Sequence, residues 1–417
     1  MLATAETIQE TSQLARLEKL LPRWRDVPLY QDWLTRAECK TLVLDCFKKL
    51  PLIAKREMRT DFPRNFLPGN ETVESLLEKN LIELEHTSGT SEERLPVIFA
   101  RGWWNAQEEV ALRLNDFVAG VLAAHPQIRR ATITSPACNG LTCPTIWMSR
   151  EQRTIGNALF VNLARIPFLL SEKELAHMAA EVADWAPQFL DVDPVHGMRF
   201  ALYCEQNNLR FPSLKFILCS YEFVSVVHRK ILNRVFGVPI FNLYGSTETG
   251  HLLMENTRGE MKPAYETAFL ELVEADADGI GALVVTTLTN DFMPLLRYRI
   301  GDLAQKTETP YGSSYIVHGR GRDALTTRDG QRVTTWQVDQ CFAGVNGIAH
   351  YELRMEPTGH GTLRFVSDQM APTETDLHQV TTRLETLLGG KVTTEMMLTL
   401  VPAASGKFRL TAQIGPA

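Results

Sequence analysis

Four short segments bring together residue types suited to handling a phosphorylated ligand. His86-Thr-Ser-Gly-Thr-Ser91 follows an apolar, strand-like run at 81–84. Small hydroxyl residues around a glycine let main-chain N–H groups and hydroxyls approach phosphate oxygens. The segment is not a GxxxxGK[ST] loop, and taken alone it reads more readily as a polar turn after a strand. Phe241-Asn-Leu-Tyr-Gly-Ser-Thr-Glu-Thr-Gly250 runs from apolar residues into an aromatic, a glycine, hydroxyls and a carboxylate. Strand ends of open α/β sheets are where ligands bind. There Tyr244 can stack on a base, Thr247 can donate to a phosphate and Glu248 can hold Mg²⁺ through oxygen; a hydrophilic turn is the plainer alternative. Pro294-Leu-Leu-Arg-Tyr-Arg-Ile-Gly-Asp-Leu-Ala304 sets Asp302 where a ribose diol can donate to it, or where it pairs with Arg297 or Arg299. Pro402-Ala-Ala-Ser-Gly-Lys-Phe-Arg409 puts Lys407 on a glycine loop, either a mobile point charge for a phosphate or part of a solvated tail.

The elements that position these segments can be read from periodicity. Residues 8–24 and 37–49 read as amphipathic helices, and 62–70 as a Pro/Asn/Gly loop. Beyond residue 81, short apolar runs at 131–135 and 216–219 alternate with helix-like stretches at 103–122, 172–185 and 222–235. Such alternation predicts an α/β body with largely parallel strands. After about residue 260 the chain turns β-rich, with strands predicted at 269–273, 282–287 and 315–318. From Asp323 the predicted strands are 325–327, 331–335, 353–357, 363–367 and 396–401, with a helix at 374–388, a pattern suited to a small α+β domain.

The chain has 417 residues, 44% hydrophobic and 22% charged, enough for more than one domain without staples. A net charge of -6 argues against general nucleic-acid binding, which needs excess Lys and Arg. No basic, apolar leader opens the sequence and no long apolar run offers a membrane span. Seven cysteines without a CxxC fit unpaired thiols in a reducing cytoplasm, and Cys138 and Cys143 lack the partners of a zinc site.

Taken together and in order, YGSTE, LLRYRIGDL, GRGRD at 319–323 and PAASGKFR resemble the core motifs of the acyl-adenylate-forming (AMP-binding) enzymes, specifically the phenylacetate–CoA ligase-like branch. Residues 47–59, FKKLPLIAKREMR, are similar to that branch's lead-in, so the resemblance spans almost the whole chain. It implies a large N-terminal multi-layer α/β domain with a β-rich subdomain over 1–321. It also implies a small mobile α+β lid over 322–417 that carries the adenylation lysine, with Arg322 and Asp323 at the hinge.

The resemblance further assigns residues. Thr87, Ser88, Gly89 and Thr90 would close over the ATP phosphates, and Tyr244 with Gly245 and Ser246 would flank the adenine. Ser220, Tyr221 and Glu222 would line the nucleotide and acid site, with Glu222 reading a substituent of the acid, contacting the adenine amino group or capping the next helix. Thr247 and Glu248 would meet phosphate and Mg²⁺, Asp302 the ribose, Arg320 the ribose and phosphates, and Lys407 the substrate carboxylate and α-phosphate. Gly330 would belong to the surface serving the thiol. The acid pocket would draw on Asn139, Gly140, Thr142, Gly245 and His251, a set suited to a flat aromatic or heteroaromatic acid; for His251 a surface helix position is the alternative.

One departure stands out: the family's phosphate loop continues Gly-Lys, whereas Glu92, Glu93 and Arg94 follow here, putting two carboxylates beside the expected phosphates. The implied reaction is an AMP-forming acid–thiol ligation using ATP, Mg²⁺ and CoA. Acyl transfer to a carrier-protein phosphopantetheine or an amine is the alternative, and a non-catalytic nucleotide-binding relative a more distant one. A homodimer is an expectation from the branch alone.

Overall fold

The computed structural model describes residues 5–36, 47–69, 71–87, 94–135, 148–161, 166–403 and 405–415. The described residues divide into two compact units, one from 1–87, 91–116 and 243–317, the other from 117–242 and 318–417. Residues after 317 thus pack in the same unit as the 117–242 body.

In the first unit, strands Gly250–Glu255, Met261–Pro263, Gly312–Arg320, Tyr298–Thr309, Ile280–Thr287 and Ala268–Val273 lie side by side in that order. Helices Ala5–Arg25 and Pro28–Arg36 contribute Leu17, Trp24 and Tyr30 to a core shared with Phe47, Ile53, Phe99, Leu283 and Tyr298. Tyr30 ties helix to sheet: its hydroxyl donates to the Pro294 carbonyl (2.8 Å) and accepts the Leu296 amide (3.1 Å). The 47–59 segment is pinned by main-chain bonds, Ile53 N to Arg297 O (3.1 Å) and Arg299 N to Ile53 O (2.8 Å). Arg297 itself is buried on Glu271, and Arg299 pairs with Glu274.

The second unit holds the parallel strands. Ala158–Phe160, Arg130–Ile133, Phe189–Val192, Phe216–Cys219 and the start of Ile240–Ser246 are neighbours in that order, all parallel. Helices Glu172–Trp185, Pro194–Gln206 and Val226–Phe236 begin at side-chain caps from Ser171, Asp193 and Ser225. Residues after 323 form a four-stranded sheet ordered Val392–Met397, Gly361–Ser367, Ile348–Met355, Thr411–Gln413, packed with helix Glu374–Leu388 over Tyr351, Leu353, Phe365 and Leu384.

Most predicted elements form, with shifts that have physical causes. The 103–122 stretch is two helices, Trp103–Leu112 and Asp116–Ala124, because Asn115 turns inward and donates to the Glu255 carbonyl (2.8 Å). The 396–401 strand forms earlier, as Val392–Met397, in parallel register with Gly361–Ser367. The 353–357 strand is Ile348–Met355, since Thr358 and Gly359 make the hairpin turn. Helix 37–49 falls mostly outside the described residues.

Candidate active site

Two clusters, one in each unit, gather the residues singled out above. In the first unit, strand Ile240–Ser246 turns back into Gly250–Glu255, and the turn buries Glu248 and Thr249 while Thr247 stays half-buried. Only glycine fits at 245, because a Cβ there would lie 2.2 Å from the Gly250 carbonyl oxygen. The Tyr244 hydroxyl donates to Asp302 Oδ2 at 2.6 Å, joining two residues from separate motifs. Neither arginine considered as a partner for Asp302 takes it, Arg297 and Arg299 having their own glutamates.

Glu248 Oε1 accepts from the Tyr298 hydroxyl (3.0 Å) and faces Lys55 Nζ at 3.2 Å. Burial pushes this carboxyl up, but Lys55, the local backbone, Ser246 and Tyr298 outweigh it and hold the carboxyl below the usual range. An ionised, buried carboxylate is a fitting oxygen ligand for Mg²⁺, a cation commonly bound by one or two carboxylates plus phosphate oxygens and water. Among the described residues there is no group of three or more His, Cys, Asp or Glu side chains that could hold a metal ion. Lys55 and Tyr298 were not anticipated from sequence; the lead-in carrying Lys55 gave no chemical signal, and the main-chain bridge between Ile53 and Tyr298 brings it here.

His251 is buried on strand Gly250–Glu255, not on a surface helix, with the Trp104 ring 4.8 Å from its imidazole. Thr87 is buried, exchanging bonds with Leu95 through its amide and hydroxyl (both 3.0 Å). Ser88, Gly89, Thr90, Glu92 and Glu93, and the expected acid-pocket residues Asn139, Gly140 and Thr142, lie outside the described residues, as do Cys138 and Cys143.

In the second unit the loop Ser220-Tyr-Glu222 leaves the C-terminal end of strand Phe216–Cys219 beside Asp191 and Asp193, at the end of Phe189–Val192. Tyr221 sits at φ 73°, a left-handed conformation uncommon for a bulky residue, and its hydroxyl donates to Asp191 Oδ2 (2.8 Å). Lys407 Nζ donates to the Tyr221 carbonyl at 2.6 Å, and the Phe408 amide donates to both Glu222 oxygens (3.1 and 3.2 Å). Lys407 is thus no free tail. Burial raises the Glu222 carboxyl well above its usual range, the nearby Asp193 carboxylate adds to this, and Lys407 opposes it. Glu222 does not cap the following helix; Ser225 does. Arg320 ends strand Gly312–Arg320, and Arg322 and Asp323 form the 3-10 turn after it, where the Asp323 carbonyl accepts the Thr411 hydroxyl (2.7 Å). Gly330 lies in an exposed turn at φ 82°.

No family model matches the chain. Two curated proteins are similar: protein CapK of Staphylococcus aureus, 28% identical over 170 residues, covering 39% of this chain and 38% of that protein, and the phenylacetate-coenzyme A ligase of Thermus thermophilus, 25% identical over 261 residues, covering 53% and 58%. The chain therefore spans less than two thirds of the length of either curated relative. Among solved structures, 2-hydroxyisobutyryl-CoA ligase in the postadenylation state with 2-HIB-AMP matches at a TM-score of 0.69 and 16% identity, covering 95% of this chain and 87% of that one. No described helix is long and apolar enough to cross a membrane. The α/β body and the α+β sheet that follows it share the fold of that 2-hydroxyisobutyryl-CoA ligase, and the phenylacetate-coenzyme A ligase similarity falls in the branch whose motifs the sequence resembles.

Proposed function

We propose that this chain activates a carboxylic acid with ATP as an acyl-adenylate and passes the acyl group to the thiol of CoA. The observation that carries the reading is the docking of Lys407 Nζ on the Tyr221 carbonyl, at the C-terminal ends of the parallel strands. The Tyr244–Asp302 hydrogen bond supports it independently.

In the first step a carboxylate oxygen attacks the α-phosphorus of ATP, the bond to the β-phosphate oxygen breaks, and pyrophosphate leaves. Carboxylate and phosphate repel, and Lys407 offsets that repulsion as charge moves onto the leaving group. Glu248 would hold Mg²⁺, which when bound neutralises phosphate charge. Tyr244 and Asp302 orient the nucleoside, with Thr87 to Thr90, Thr247 and Arg320 toward the phosphates. In the second step the thiol sulfur attacks the acyl carbonyl, its proton is lost to solvent, and AMP departs. The lysine must then yield to the thiol. Residues 322–417 are proposed as the lid that moves, with Arg322 and Asp323 as its hinge and the Gly330 turn on the incoming surface.

The acid is proposed to be flat and aromatic. Support comes from the aromatic rings of Trp104 and His251 beside Gly245, 4.8 Å apart and tilted 59° to each other, a pair that a planar ring can pack against edge or face. Pyrophosphate release, measured with ATP, Mg²⁺ and a panel of aromatic, heteroaromatic and aliphatic acids with and without CoA, tests the whole reading. Release with one acid, stimulated by CoA and yielding an acyl-CoA mass, is expected. Release indifferent to CoA points to a carrier protein or an amine, and silence across the panel from folded, ATP-binding protein rejects the enzyme.

A further inference from the structure

Helix Val226–Phe236 starts four residues after Glu222, so whatever grips it also sets the loop on which Lys407 rests. Residues beyond 323 grip it along its length. At its N-terminus Asp339 Oδ1 accepts from the Ser225 hydroxyl, and Oδ2 accepts the Val226 amide at 3.0 Å. This carboxylate is buried and also accepts the Tyr351 hydroxyl (2.8 Å), so Asp339 joins the helix start to strand Ile348–Met355. One turn on, Lys230 donates to the Val345 carbonyl (2.9 Å) and to Asn346. Another turn on, Arg234 makes a two-pronged pair with Asp368 (2.8 and 3.0 Å), while Glu205 holds its other edge. Residues 226, 230 and 234 form one i, i+4, i+8 ridge. Val227 packs into the apolar core of Phe342, Val345 and Tyr351.

Charge complements the geometry at both ends. A carboxylate at the helix N-terminus meets unpaired amides and the positive end of the dipole, and a guanidinium near the C-terminus strengthens the pairing there. Three polar grips on one rigid helix define a single seating, which a purely apolar contact would not. That seating fixes Lys407 against Tyr221 and the Phe408 amide against Glu222.

We propose that Asp339, Lys230 and the Arg234–Asp368 pair form a latch on helix Val226–Phe236 that seats Lys407 for adenylate formation, making Asp339 and Arg234 positioning residues that touch no substrate. The proposal rests on the functional reading above. Its consequence is selective: loosening the latch slows the lysine-dependent first step and spares thioester formation from preformed adenylate.

The test compares Asp339→Asn, the surface variant Arg234→Ala and Lys407→Ala in the full chain. Amide hydrogen exchange over 405–410 needs no substrate, and both latch variants should speed it by about tenfold or more, the loss typical of one charge-assisted bond. Adenylate formation, with the acid giving most pyrophosphate in the panel, should fall about tenfold with acid and ATP KM within about twofold. Thioester formation from the synthetic adenylate of the same acid should stay at the parental rate. Unchanged exchange in both latch variants overturns the latch, and an equal fall in both half-reactions overturns its positioning role. If Lys407→Ala is inactive in adenylation while the latch variants are normal, the latch alone fails. If Lys407→Ala forms adenylate at the parental rate, the functional reading fails and the positioning claim goes with it.

Discussion

Glu248 faces Lys55 and Lys407 donates to the Tyr221 carbonyl, each partner remote in sequence. Glu248 is kept ionised against burial by Lys55 above all, so its stabilising contribution is present above the usual carboxylate range and lost as pH falls through its depressed value. Lys55→Ala removes that support. The Glu248 pKa should rise, and the acid limb of the pH–rate profile for adenylate formation should move to higher pH; an unmoved limb would separate Lys55 from Glu248. Lys407→Ala should lower adenylate formation by about 10² to 10³ while ATP affinity, measured by calorimetry, changes only a few-fold. Tyr244→Phe removes the bond to Asp302 and should weaken ATP binding by about three- to tenfold, roughly 0.5–1.5 kcal/mol, with the fold intact by circular dichroism. Tyr244, Glu248, Asp302 and Lys407 were singled out as candidates in the sequence because each sits in a motif of distinctive composition. Lys55, Tyr298 and the Asp191–Asp193 pair were not, since each becomes notable only through a neighbour that the fold supplies.

At the scale of elements, helix Val226–Phe236 meets strand Ile348–Met355 through a buried histidine pair. His228 Nε2 and His350 Nδ1 are 3.0 Å apart, enclosed with the Phe168 and Phe408 rings. Burial lowers His228 to about 3 and lowers His350 as well, His228 adding to the latter. Both rings are therefore neutral in the fold, and the stability they permit is full above the unfolded value near 6.5 and lost as pH falls toward their depressed values. Below pH ~6.5 stability should drop by up to about 1.4 kcal/mol per pH unit for each ring, an effect visible in urea midpoints and reduced in His228→Asn. A flat stability profile from pH 7 to 5 would contradict this. Gly245→Ala forces a Cβ against the Gly250 carbonyl and should cost about 1–3 kcal/mol in a melt, together with ATP binding. The helices at 172–185 and 374–388 were readable to the residue because caps, amphipathic spacing and length agree there. The break at 113–115 and the long strand Tyr298–Thr309 were not: one depends on a tertiary bond from Asn115, and the other carries Gly301 at φ 94° in its interior.

Over the whole molecule, the order of elements followed from alternation of apolar runs and amphipathic stretches, so the α/β class and the terminal α+β sheet were legible. The grouping into compact units was not, because 243–317 joins the N-terminal residues and 318–417 joins 117–242 through contacts far apart in sequence. The chemistry proposed for the molecule has a direct isotopic signature. An acid labelled with ¹⁸O in both carboxyl positions, turned over with ATP, Mg²⁺ and CoA, must leave one labelled oxygen on AMP, because the attacking carboxylate oxygen stays on the α-phosphorus when the thiol takes the acyl group. Mass spectrometry of the nucleotide product should find AMP carrying one ¹⁸O beside unlabelled pyrophosphate. ADP with labelled inorganic phosphate, or AMP without label, would contradict an acyl-adenylate intermediate.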